Sequence, residues 1–129
     1  MAGIKHTYTH TIKDDAGANV IADVIVITAD TEENANIAVP ATSFVEVDLV
    51  IPKLKIVSFF VELDQAGTFD TNAHGGAGGN TFPLTAKVAL WWNNTLQNTN
   101  PITVDIASIF ISNTSAVAGT AKIGFLVQQ

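Results

Sequence analysis

The strongest constraint in this chain is a period of two. From Ile4 to Lys13, the residues Ile4, His6, Tyr8, His10 and Ile12 hold one parity, while Lys5, Thr7, Thr9, Thr11 and Lys13 hold the other. Successive side chains of a strand point to opposite faces, so this spacing predicts a half-buried strand and is incompatible with a helix. The same alternation returns several times, and no heptad or internal repeat interrupts it. Composition agrees: Val, Ile and Thr supply 41 of 129 residues, against seven Leu, one Met and four Glu. Branched side chains at that density favour strands over helices. A chain of this length hides roughly 70% of its unfolded surface as one domain, so it needs neither disulfide nor metal to hold it. We expect a single domain over residues 1–129 with a short N-terminal arm.

After the acidic turn Asp14-Asp15-Ala16-Gly17, Val20 to Thr28 reads as a second strand, apolar on both parities except Asp23, and pairs with the first as a hairpin. Asp30-Thr31-Glu32-Glu33-Asn34 reads as a solvated loop. Val45, Val47, Leu49 and Ile51 then alternate with Phe44, Glu46, Asp48 and Val50 until Pro52 ends the strand. Leu54 to Leu63 is apolar on both parities, as expected of a central strand. A short strand at Thr68–Asn72 follows, and then the glycine-rich stretch His74-Gly75-Gly76-Ala77-Gly78-Gly79-Asn80, read as the most flexible loop of the chain. From Phe82 to Trp92 one parity is kept, which predicts one strand with Trp92 in the core and Trp91 outward. Between Ile102 and Ser112 the apolar parity switches, which calls for a bulge or a single turn. Ala121, Ile123, Phe125 and Val127 form the last strand. About eight strands with turns every 8 to 14 residues predict an all-β fold, an antiparallel β-sandwich of jelly-roll type.

Charge and residue chemistry narrow the function. The net charge is −6 and all six basic residues are Lys, which disfavours nucleic acid, since phosphate contacts dominate that affinity. There is no cysteine, hence no thiol chemistry. No apolar run reaches the ~18–20 residues of a spanning helix, and the first residues lack a signal-peptide pattern, so we expect no secretion by a signal of its own and no membrane partner. His6 and His10 lie ~13 Å apart on a strand, too far to share one metal ion, and read as surface or inter-subunit hydrogen-bonding groups. The acidic turns lack the spacing of a calcium loop, and Glu46, Asp48, Glu62 and Asp64 occupy ordinary outward positions. The glycine run has no following Lys-Ser or Lys-Thr for phosphate. We therefore expect no enzyme and no cofactor. An outward Trp91 is a candidate interface residue, or a platform for sugar.

From Val57 to Val127 the chain resembles small virion-associated proteins of tailed bacteriophages. The similarity rests on Ser58-Phe59-Phe60-Val61-Glu62-Leu63-Asp64, Thr68-Phe69-Asp70-Thr71-Asn72, Thr81-Phe82-Pro83-Leu84, a Trp-bearing strand, Asn100-Pro101-Ile102-Thr103-Val104-Asp105-Ile106 and Ile109-Phe110-Ile111-Ser112-Asn113. The resemblance implies a virion structural protein located on the capsid surface, a decoration or cement protein that binds the major capsid protein and copies of itself. The expected contact residues are Ala2, Gly3, Ile4 and Lys5 of the arm, His74, Gly75, Gly76, Ala77, Gly78 and Gly79 of the loop, and Trp91. A tail or other minor virion protein and a carbohydrate-binding sandwich are the alternatives, and a cupin-like enzyme would need clustered His and Glu ligands.

Overall fold

The computed structural model describes residues 4–13, 19–29, 31–95 and 99–128, with side chains from residue 35 onward. Among these residues are ten strands: β1 (Ile4–Lys13), β2 (Asn19–Ala29), β3 (Thr31–Val39), β4 (Ser43–Val47), β5 (Ile56–Leu63), β6 (Gly67–Thr71), β7 (Thr81–Leu84), β8 (Leu90–Asn93), β9 (Ile109–Asn113) and β10 (Gly119–Val127). Among the described residues there is no α-helix, and one 3-10 turn at Lys53–Lys55 leads into β5.

Eight strands build a sandwich of two antiparallel sheets, ordered β3-β10-β5-β8 and β4-β9-β6-β7. The pairs β3/β10, β4/β9, β5/β8 and β6/β7 nest within one another in sequence. Such nesting is one long antiparallel ribbon rolled over itself, and the remaining contacts, β10/β5 and β9/β6, are made where the roll closes. The fold is a jelly roll. β1 and β2 form a separate two-stranded sheet, with Ile4 opposite Ala29 and Tyr8 opposite Ile25. This ribbon approaches β10 and β5.

Alternation explains the core. Phe59, Val61 and Leu63 of β5, Ile123 and Phe125 of β10, Phe69 of β6 and Ile109 and Ile111 of β9 are fully or almost fully buried. Phe125 joins the layers: its ring stacks on Phe59 at 5.4 Å within its own sheet and meets Phe69 of the other sheet at 6.5 Å. Burying side chains of this size stabilises a fold by about 1.5–3 kcal/mol each relative to exposure. A polar staple crosses the same layers. Asn113, 1% exposed, donates through Nδ2 to the carbonyls of Val39 (3.2 Å) and Val117 (2.8 Å), and its Oδ1 accepts from the Ser115 amide at 2.9 Å.

Four sequence expectations need correction. The strand expected to run up to Pro52 ends at Val47, and Ile51 beyond it makes an isolated bridge to Ile106. Thr31 to Asn34 is not a loop: it starts β3, which pairs along its whole length with β10, Glu32 facing Leu126 and Glu33 facing Phe125 in register. Phe82 to Trp92 is not one strand, because Val88 N donates back to Thr85 O at 3.0 Å and Lys87 takes a φ of 63°. That turn moves the chain from the second sheet to the first, so β7 and β8 lie in different layers. Leu54 belongs to the 3-10 turn rather than to the strand and is 89% exposed. Across 102–108 the phase break is resolved by irregular chain that buries Ile102 and Ile106 and forms an isolated bridge from Ile106 to Ile51. The turn expected at Asp14–Gly17 lies outside the described residues.

Candidate functional site

Strand parity decides what the second sheet shows to solvent. Val45, Phe69 and Ile111 point inward, so Phe44, Asp70, Phe110 and Ser112 point outward. Onto this outer face the β6–β7 loop folds back. The amide of Gly75 donates to Asp70 Oδ2 at 2.9 Å, and Thr81 Oγ1 donates to Gly75 O at 3.1 Å. Asp70 is thereby buried to 1% exposure although it sits on an outward position.

The loop is knitted to the body rather than loose. Gly76 N donates to Ala73 O and Gly79 N to Gly76 O, forming consecutive turns. At its two ends Asn72 Nδ2 donates to Asp105 O and Asn80 Nδ2 to Thr103 Oγ1, each at 3.0 Å. Its glycines answer geometry. Gly76 takes a φ of 79°, and a Cβ there would overlap Thr81 Oγ1; a Cβ on Gly79 would overlap Thr71 O. The sequence signal was read as flexibility, whereas the structure uses glycine for positive φ and close backbone approach.

What this tight fold holds in place is His74. Its ring stacks on Phe44, with centroids 4.0 Å apart and planes 13° from parallel, and Phe110 closes the group 6.0 Å from Phe44. Phe44 is 44% exposed. Beside the stacked pair lies an open cleft of about 320 Å3 lined by Thr42, Ser43, Phe44, His74, Ser112, Asn113 and Thr114. Ser112 Oγ and Asp70 Oδ1 are buried here without a hydrogen-bond partner. The arrangement is an aromatic platform edged by hydroxyls, which can stack on a partner's ring or apolar surface.

The expected contact residues fall in three places. His74 to Gly79 form the loop on the second sheet. Trp91 lies on β8 at the edge of the first sheet, cross-strand from Phe60 and half-buried, while Trp92 beside it is buried at 4% exposure, as parity predicts. Ile4 and Lys5 begin β1, opposite Ala29 and Thr28, and Ala2 and Gly3 lie outside the described residues. The structure does not join the loop and Trp91 in one surface. Sequence reasoning missed Phe44, Asp70 and Ser112 as site residues; the outward parity of Phe44 was the available signal. Among the described residues no cluster of three His, Asp or Glu could hold a metal, and no helix is long and apolar enough to cross a membrane.

No protein family, curated protein sequence or solved structure matches the chain.

Proposed function

We propose that this jelly-roll protein is a bacteriophage virion structural protein, a decoration or cement protein that binds the assembled capsid and stabilises it. The observation that carries the reading is the Phe44–His74 platform, an exposed aromatic pair held rigid by a hydrogen-bonded loop on one sheet face. Exposed aromatics in fixed positions are what anchors a protein interface, because little side-chain entropy is lost when they are covered. The sequence resemblance from Val57 to Val127 supplies the particular partner, the major capsid protein. Jelly rolls also serve lectins and cupins, so the fold by itself selects none of these roles. Acting by mass action, copies that bind the assembled shell and not its free subunits add their binding energy to shell stability. Modest single contacts suffice when many copies bind.

One observation favours a second reading. A stacked aromatic surface edged by the hydroxyls of Thr42, Ser43 and Thr114 has the chemistry of a sugar site. The two readings separate in one experiment: purified protein is added to virions lacking it and to a panel of host surface glycans. The capsid reading predicts saturable particle binding that Phe44→Ala and His74→Ala weaken together. Glycan binding without particle binding would transfer the site to the second reading.

A further inference from the structure

We infer that the cleft beside the Phe44–His74 stack receives an arginine side chain of the protein partner. The inference deepens the capsid reading and rests on it for the partner's identity. It starts from the hydrogen-bonding capacity that the lining residues have left. Thr42 Oγ1 donates to Ala41 O at 2.8 Å and Thr114 Oγ1 donates to Ala66 O at 3.0 Å, so both hydroxyls keep only lone pairs for a ligand. Asn113 is fully engaged in its staple, through Nδ2 and Oδ1 alike. Ser112 Oγ, on a residue 7% exposed, lacks a partner. A lining of this kind suits a ligand rich in donors and poor in acceptors.

Charge and ring geometry select the donor. On the outer face of the second sheet, Glu46 follows Phe44 along β4, exposed and in register with Phe110, and β6 contributes Asp70. Neither the four strands of this sheet nor residues 72–80 contain a Lys. Phe110 is tilted against both members of the stack, 6.0 Å from Phe44 and 6.5 Å from His74, so aromatic rings gather beside the carboxylates. Ring faces carry negative potential and attract a cation, and the carboxylates add to that attraction. Of the protein cations, a guanidinium is planar, stacks on rings and has five donors and no acceptor, whereas an ammonium is a compact and strongly hydrated point charge. The cleft of about 320 Å3 stands at the small end of ligand sites, which run roughly 300–1,000 Å3, and fits one side chain. The chain itself contains no Arg, so a second copy cannot be the source.

The test titrates the full chain, isotope-labelled for NMR, with short peptides that differ only in a central arginine, lysine or citrulline, the last being the neutral isostere of arginine. The arginine peptide should shift the ring signals of Phe44 and Phe110 in a saturable way, while the citrulline peptide binds at least ~10-fold and the lysine peptide ~3-fold more weakly. Glu46→Gln, an exposed change that keeps the size of the side chain, should weaken the arginine peptide ~3-fold and leave the citrulline peptide as it was. In a second arm, excess arginine peptide competes for the wild-type protein with virions lacking it. Displacement from the particles supports the inference. Peptide binding by a protein that ignores particles also supports it, and overturns the capsid reading alone. Particle binding untouched by the arginine peptide and by Glu46→Gln would leave the capsid reading standing and overturn the inference. So would a citrulline or lysine peptide that binds as the arginine peptide does, or an arginine peptide that shifts neither ring.

Discussion

Trp91 and Trp92 show how one residue of register separates a core position from a surface one. Both were assigned from parity alone, and β8 keeps that parity because Phe59 and Trp92 face each other inside while Phe60 and Trp91 pair outside. Trp92→Ala should therefore cost roughly 3–5 kcal/mol in denaturant unfolding, and Trp91→Ala less than half as much. Equal losses would contradict the register. Asn113 was not legible, because its partners Val39 and Val117 come from another strand and a turn, and no local pattern announces a buried amide. Replacing it with Ala strands two carbonyls and one amide, and should destabilise by about 1–3 kcal/mol in the same measurement. Gly76→Ala forces a side chain into positive φ and onto Thr81, so a loss of about 1–3 kcal/mol is expected.

Among the elements, those with alternation were readable and those whose identity depends on a distant partner were not. β3 begins with Thr-Glu-Glu-Asn, a polar run that carries no strand signal of its own; it is extended because β10 offers a complete ladder. The opposite error came at β7 and β8, where unbroken parity concealed a turn at Thr85–Val88 and a change of sheet. The glycine loop was found by composition, but its contact with Phe44, thirty residues earlier, is set by the roll of the sheet and not by spacing. Because the loop is anchored through Asp70, Asn72 and Asn80, excising residues 74–79 should lower the melting temperature by at least about 4 °C, the equivalent of about 1 kcal/mol. Phe44→Ala and His74→Ala break the ring stack on the sheet face but spare the core, and should lower it by less than the loop excision does, as calorimetry would show.

At the scale of the whole molecule, the nested pairing of eight strands places two unlike surfaces on one domain. The second sheet carries the aromatic platform, and the β1–β2 ribbon forms a sheet of its own against β10 and β5. The sequence disclosed the all-β class and the sandwich through its period of two, but the cleft required the roll to be known. The most direct measurement of the central claim is the temperature at which virions release DNA, read by a dye that reports exposed DNA. Particles lacking the protein should assemble and then release DNA at a lower temperature, and added wild-type protein should restore the transition in a saturable way. The Phe44→Ala, His74→Ala double variant, used at a temperature where it is fully folded, should restore it only at much higher concentration. A release temperature unchanged by loss of the protein, or restored equally by wild type and double variant, would contradict the account.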